Sequence, residues 1–176
     1  EVYGWTMARY GFSWQVNAAP RAQAIAPCLL FVGAQCGRAE EAMKLYTSLF
    51  PDSGVDLVAR YEAGEEPNAE GSLKHAVFFL AGQEVRAMDS ALDHPFTFTE
   101  ASSLQVLCDS QEEVDHYWRH LGEGGDPAAR QCGWLKDRFG VSWQVVPRVL
   151  IDMLRDGRAG DGENLTRTFM QMKKFD

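Results

Sequence analysis

GWTMARYGFSWQV at residues 4–16 and GWLKDRFGVSWQV at residues 133–145 are two copies of one short sequence. Glycine, both tryptophans, arginine, the second glycine, serine, glutamine and valine recur at a constant offset of 129 positions. Each copy is typical of a strand, a tight turn and a second strand, because its second glycine can adopt the positive φ that the turn requires. A match of this length at a fixed offset indicates duplication within the chain.

The two copies stand in different surroundings. The second copy closes a full module, whereas the first has almost nothing before it. We therefore interpret residues 1–20 as the tail of an upstream repeat copy, or as a segment whose preceding residues were cleaved or left unresolved. The alternative is a strand pair that was duplicated by itself. Residues 21–176 predict one domain that is long enough to bury a substantial core.

The composition is that of an ordinary globular protein, and it limits the classes of partner that the chain can bind. Of the 176 residues, 45% are hydrophobic and 24% are charged. The net charge of −8 argues against nucleic acid, which requires clustered lysine and arginine. No apolar run approaches the roughly 18 residues that cross a bilayer, so we expect no membrane partner. The four cysteines are scattered, without a Cys-x-x-Cys pair, which predicts a cytoplasmic protein.

Hydrophobic periodicity predicts an α+β fold built from two similar modules. The first module, about residues 25–92, has elements predicted at 25–32, 39–50 (a helix), 55–62, 73–80 and 84–88. The second, about residues 98–147, repeats this order, with elements predicted at 102–108, 111–121 (a helix), 131–137 and 141–146 and an extra short strand around Arg130. Two C-terminal helices fall within 148–175 and are linked by residues 156–162. The first begins at about Pro147, because the fixed φ of proline suits a first helical position.

Six stretches carry a resemblance to a known family. They are Pro27-Cys28-Leu29, Ala39-Glu40-Glu41-Ala42, the segment 46–51, Glu100-Ala101, Gln105-Val106 and, above all, residues 131–150. On these stretches the chain resembles the PhnB-like branch of the vicinal oxygen chelate (glyoxalase/bleomycin-resistance) superfamily, in particular proteins labelled as 3-demethylubiquinone-9 3-methyltransferase domains. The resemblance implies paired βαβββ modules that form a cupped mixed sheet around a central pocket. It also implies a small-molecule ligand and a homodimer.

Enzymes of this superfamily commonly hold a divalent metal with four side chains. The resemblance places those positions here at about Cys28, Met88, Ser103 and Gln144. None is a histidine or a carboxylate, whereas a hard dication prefers anionic oxygen or imidazole ligands. We therefore expect no metal and no cofactor. The alternative is a metal-dependent glyoxalase- or dioxygenase-type enzyme, in which this register is shifted by one or two residues.

Polar residues on the predicted strands favour a ligand site. Strand alternation places Ser142 and Gln144 on one face, and Ser103 and Gln105 on one face of the partner strand, while Trp143 points into the core. Aromatic and thiol side chains complete the candidate binding set, which is Cys28, Phe96, Ser103, Gln105, Trp134, Ser142 and Gln144. Such a set suits a small polar ligand in an aromatic-walled pocket. Alternatively, the two glutamines only satisfy one another at a seam of the sheet.

These observations favour a metal-independent protein that binds a small molecule in its cup. Whether it is an enzyme stays open, and His94, the histidine nearest the expected mouth of the cup, is the candidate acid or base. The alternative from another class is a dimeric interaction module, in which residues 1–20 pair with the sheet edge of a neighbouring subunit. Methyl transfer is disfavoured, because the glycine-bearing segment 33–37 precedes a helix in a fold unlike the doubly wound one.

Overall fold

The computed structural model describes residues 3–9, 11–17, 25–156 and 162–176. Its strands are β1 (Tyr3–Met7), β2 (Ser13–Asn17), β3 (Cys28–Val32), β4 (Gly54–Arg60), β5 (Leu73–Leu80), β6 (Gln83–Ser90), β7 (Ser103–Cys108), β8 (Trp134–Lys136) and β9 (Ser142–Pro147). Its helices are α1 (Ala39–Leu49), α2 (Gln111–Gly122), α3 (Arg148–Asp156) and α4 (Gly162–Gln171). The strands form three sheets, in the orders β1-β2, β3-β6-β5-β4 and β7-β9-β8. The predicted α+β class is confirmed.

The first module places α1 against one face of its four-stranded sheet. Glu40 and Glu41 lie in the first turn of α1, where carboxylates favour the positive end of the helix dipole. The helix ends at Leu49 because Pro51 cannot continue it. β3 runs parallel to β6, and the other pairs are antiparallel. The helix-facing side of this sheet is part of the core, and we call its opposite side the far face of the first module.

The second module repeats this plan with one strand fewer. β7 pairs with β9 in parallel and β8 with β9 antiparallel. α2 begins after Ser110, whose side chain accepts a hydrogen bond from the Glu113 N–H, while Glu113 accepts one from the Asp109 N–H. This reciprocal capping fixes the start of the helix, at the residue where the sequence predicts that the helix begins.

Two predictions in this module are wrong. No strand forms around Arg130 in the described structure: residues 127–129 make a 3-10 turn capped by Asp126, followed by one isolated bridge at Gln131. The cap and the missing N–H of Pro127 favour a turn over a ladder there. In addition, Pro147 is the last residue of β9, and α3 begins at Arg148. Most of the predicted link at 156–162 lies outside the described residues.

Asp137 joins the two modules inside a common core. Its carboxylate accepts hydrogen bonds from the Tyr46 hydroxyl at 2.6 Å, the Trp143 indole N–H at 2.8 Å and the backbone N–H groups of Phe139 and Val141 at 2.9 and 3.0 Å. Trp143 is 2% exposed, so its predicted place in the core is confirmed. Burial raises the pKa of Asp137.

The first repeat copy forms a separate hairpin, β1–β2, as its sequence predicts. Gly11 closes the turn with a φ of 78°. Trp5 pairs with Gln15 in the same register in which Trp134 pairs with Gln144. The burial of the two copies differs: Trp14 is 43% exposed, whereas its counterpart Trp143 is buried. The origin of residues 1–20 as the tail of an upstream copy stays a prediction.

Candidate ligand-binding site

The sheet of the second module carries two rows of functional side chains on the face opposite α2. Strand register aligns one row as Lys136, Ser142 and Ser103 and the other as Trp134, Gln144 and Gln105. Alternate positions on these strands, such as Leu135 and Trp143, point into the core. We call these six residues the two-row face. It brings together five of the seven residues predicted from sequence.

Gln144 is the centre of a hydrogen-bond network on this face. Its Nε2 donates to Ser103 Oγ at 2.7 Å, and its Oε1 accepts from Gln105 Nε2 at 3.3 Å. The two glutamines therefore do bond to one another, as the seam interpretation expects. Among the described residues these bonds use one donor hydrogen and one acceptor site of Gln144, so its amide keeps one of each for a ligand.

A cavity of about 390 Å³ opens beside the two-row face. Such a volume lies within the range of sites for small organic ligands. Its lining contains part of the two-row face and side chains from neighbouring segments: Glu100, Ala129, Gln131, Cys132, Trp134, Leu135, Lys136, Ser142 and Met170. Ser142 is 2% exposed, and its Oγ has no hydrogen-bond partner in the part of the chain that the structure describes. A buried hydroxyl without a partner carries a desolvation cost that a ligand oxygen can offset.

Lys136 and Glu100 form an ion pair at the edge of this cavity. The Lys136 side chain is 23% exposed and that of Glu100 is 59% exposed. The Lys136 ammonium holds the pKa of Glu100 below its ordinary value. Sequence reasoning did not identify Lys136, because a lysine at a strand end is usually a solvated surface residue. The sequence does contain a signal for it: Lys136 is two residues after Trp134, and residues two apart on a strand point to the same face.

The C-terminal segment closes one side of the cavity. The Cys132 N–H donates to the Met172 carbonyl at 2.7 Å, and the Gly133 N–H donates to the Lys173 carbonyl at 2.9 Å. Gln131 Nε2 donates to the Met170 carbonyl at 2.7 Å. These bonds hold the end of α4 beside β8, so that Met170 forms part of the wall. A contact of this sequence separation leaves no local signal in the sequence.

Cys28, Phe96 and the acid/base candidate His94 lie in a second cluster, between the far face of the first module and the β1–β2 hairpin. His94 stacks on Trp5, with ring centroids 6.3 Å apart, and its centroid lies 5.1 Å from that of Phe96. His94 Nε2 lies 2.8 Å from Ser90 Oγ. Gln15 Nε2 donates to Cys28 Sγ at 3.5 Å. In the described structure Cys28 and Phe96 lie in this cluster and the other five predicted residues lie on the two-row face, so the predicted binding set divides between two places.

The residues present do not fit a metal site of the kind that the superfamily uses. Burial raises the pKa of the Cys28 thiol to about 11, so it is not a thiolate at neutral pH. The Gln144 amide is engaged with Ser103 and Gln105. Among the described residues no group of three or more His, Cys, Asp or Glu side chains is arranged to hold a metal ion.

The described helices include none that is long and apolar enough to span a membrane.

Comparison with known proteins agrees with this geometry. The family model described as 3-demethylubiquinone-9 3-methyltransferase matches residues 23–146. Among solved structures, a Bacillus cereus 3-demethylubiquinone-9 3-methyltransferase-type PhnB protein is 41% identical, with a TM-score of 0.61 and coverage of 71% of this chain and 99% of its own. A Pseudomonas aeruginosa protein is 24% identical, with a TM-score of 0.57 and coverages of 72% and 98%. No curated protein matches the chain.

The fold is that of a vicinal oxygen chelate protein, with two modules in which a helix packs on one side of a sheet. Within that superfamily the chain belongs to the 3-demethylubiquinone-9 3-methyltransferase (PhnB-like) family, whose model covers more than half of its length. The resemblance drawn from the helix start at Ala39 and from residues 131–150 is confirmed.

Proposed function

We propose that the protein binds a small organic molecule in the cavity beside the two-row face, without a metal ion. The observation that carries this proposal is Ser142, which lines the cavity and whose buried hydroxyl has no partner among the described residues. Trp134 offers an aromatic wall next to it, and Gln144 keeps free hydrogen-bonding capacity in the adjacent row. A polar anchor beside an aromatic surface is the usual composition of a small-molecule site.

Ser142→Ala tests this proposal directly. Loss of a hydroxyl that has no partner removes a desolvation cost, so the melting midpoint without ligand should stay the same or rise. Ligands found by a melting-shift screen of the wild-type protein, where binding to the folded state raises the midpoint, should bind the variant several-fold more weakly. Ser13→Ala, the equivalent change in the other repeat copy, is the matched control and should leave their affinity unchanged. Equal affinity of wild type and Ser142→Ala would contradict the proposal.

Gln144→Ala distinguishes between two roles of Gln144, which are contact with the ligand and a structural link between β7 and β9. If the amide serves the ligand, affinity falls while the melting midpoint stays close to that of the wild type, because the amide is only half-buried. If it only ties β7 to β9, the midpoint falls and the affinity of the folded protein does not. The same screen with Ni²⁺, Zn²⁺, Mn²⁺ and Fe²⁺ tests the metal-dependent alternative, which a clear upward shift would favour.

Methyl transfer, the activity in the family's description, receives no support from the site. The segment 33–37 forms a short 3-10 turn leading into α1, at the edge strand of a mixed sheet. A nucleotide-binding crevice of the doubly wound type instead lies at the carboxyl ends of parallel strands on both sides of a switch point. Incubation with S-adenosylmethionine and the ligands from the screen should therefore give no methylated product by mass spectrometry.

A second candidate function, a dimeric interaction module, has one observation in its favour. The outer face of the β1–β2 hairpin exposes Phe12, Trp14 and Val16, whereas their counterparts Val141, Trp143 and Val145 are buried. A homodimer that covers this face is part of the proposal, as is a cytoplasmic location. Sedimentation of the wild type and of Trp14→Ser tests it: a dimer that dissociates in the variant supports the module, and a monomer in both contradicts it.

A further inference from the structure

We infer that the ligand of this cavity is an organic anion: an apolar, flat body that carries one carboxylate-like group, held between Lys136 and Ser142. This inference rests on the proposed function, since it assigns the chemical class of the molecule that the same cavity takes. A different part of the cavity lining indicates each part of the ligand. The corresponding residues of the first repeat copy provide a comparison within the same chain.

Lys136 is the positively charged group that would bind the anionic part of the ligand. Lys136 and Ser142 are directly opposed in the antiparallel pair β8–β9, so their Cβ atoms lie about 5 Å apart on one face. Both residues line the cavity. From opposed positions on one face, the Lys136 ammonium and the Ser142 hydroxyl can donate to the two oxygens of one carboxylate, and hydrogen bonds to a charged group are stronger than neutral ones.

Glu100 is the carboxylate that the anionic group of a ligand would replace at Lys136. Its carboxylate already binds Lys136, which demonstrates that the ammonium is within reach of an oxyanion at the cavity. The Glu100 side chain is mostly exposed, so its ion pair is screened by solvent and contributes little. A ligand carboxylate that replaces it keeps the charge of Lys136 neutralised and gains the Ser142 hydroxyl. Glu100 returns to water, where a carboxylate is well solvated.

The remaining walls favour an apolar body. Trp134, Ala129 and Met170 line the cavity, and tryptophan and methionine both offer polarisable surface to a flat ring. Within the described lining residues Lys136 is the single basic side chain. The cavity therefore combines one cationic point with apolar walls, which matches a monoanion better than a sugar or a polyanion.

The first repeat copy contains the same row without the cation. Ser13 and the Trp5–Gln15 pair match Ser142 and the Trp134–Gln144 pair, but Met7 stands opposite Ser13. Both copies therefore contain the serine, glutamine and tryptophan, and the lysine stands in the second copy. Lys136→Met converts the second copy to the residue of the first, which is a substitution that this hairpin sequence accommodates.

The test uses pairs of probes that differ only in charge: 2-naphthoate against 2-naphthylmethanol, and benzoate against benzyl alcohol. Calorimetry on the full chain should show the anions binding about tenfold more tightly than the alcohols, or better, with an affinity that falls as salt is raised. Lys136→Met should remove that difference while leaving alcohol binding intact, and Lys136→Arg should restore part of it. Glu100→Gln should tighten anion binding by about threefold, because it removes the competing carboxylate.

Several outcomes would overturn the inference. Equal binding of anion and alcohol, or an anion preference that survives Lys136→Met, would exclude Lys136 as the anchor and would leave the proposed function standing. Failure of every probe to bind would also overturn it, and the Ser142→Ala comparison with the screened ligands would then judge the proposed function by itself. Met7→Lys in the hairpin is the matched control and should not alter binding in the cavity.

Discussion

Asp137 is the residue on which the interior of the second module depends. It accepts four hydrogen bonds, two of them from side chains of the core, Tyr46 and Trp143. Asp137→Asn keeps the size of the side chain but replaces one acceptor oxygen with a donor, which leaves buried donors unsatisfied. At about 1–3 kcal/mol for each such group, we expect the free energy of unfolding to fall by roughly 2–4 kcal/mol, as measured by urea denaturation. A decrease in the free energy of unfolding of less than 1 kcal/mol would contradict this structural role of Asp137.

The same residue sets a pH dependence. Burial raises the folded-state pKa of Asp137 above its unfolded value, which is about 3.9, so the folded protein binds the proton more tightly than the unfolded chain does. Its contribution to stability is therefore fully present below the unfolded pKa and is lost as pH rises through the folded pKa. The stability gap between wild type and Asp137→Asn should narrow as pH is raised from about 4 through that window. If the gap instead widens with pH, the hydrogen bonds lower the folded-state pKa of Asp137 by more than burial raises it.

Gly133 lies where there is no space for a side chain, whereas its counterpart in the first repeat copy, Gly4, does not. A Cβ at Gly133 would lie 2.3 Å from the Phe175 ring, and its φ is 77°. Gly4, the equivalent residue, has nothing within 4 Å. Gly133→Ala should therefore displace Phe175 and destabilise the protein by about 1–3 kcal/mol, whereas Gly4→Ala should be close to neutral. Urea denaturation of the two variants makes the comparison, and an equal effect of both would contradict it.

At the scale of elements, the end of α4 closes the cavity from one side. Three hydrogen bonds from Gln131, Cys132 and Gly133 hold it there, and Met170 supplies the wall. Removal of residues 172–176 takes away two of the acceptor carbonyls and the Phe175 ring, so the wall should loosen. We expect screened ligands to bind several-fold more weakly to the truncated chain, with Ser142 and Lys136 unchanged. Calorimetry at a temperature where the truncated protein remains folded measures this, and an unchanged affinity would remove α4 from the site.

The elements also show what a sequence can reveal. α1 and α2 were predictable within about a residue because their apolar residues recur at helical spacing and their ends carry capping or proline signals. The two-row face was largely predictable too, since alternation alone aligns Ser142 with Gln144. The strand around Arg130 was wrong because a short turn and an edge strand look alike in sequence. Lys136 and Met170 were not identified, because their role arises from contacts between distant segments.

At the scale of the whole molecule, the β1–β2 hairpin contacts the far face of the first module at Cys28, and the reactivity of this thiol measures how well the hairpin shields that face. Gln15 contacts its thiol, and burial raises the pKa of Cys28 to about 11. Deletion of residues 1–17 should expose the thiol, lower its pKa and speed its alkylation, which mass spectrometry can follow. Cys108 is the matched control, because it is buried in the second module with a pKa also raised to about 11, and its rate should not change. An unchanged Cys28 rate would mean that the hairpin does not shield this face in solution, whereas equal acceleration at both thiols would indicate general unfolding.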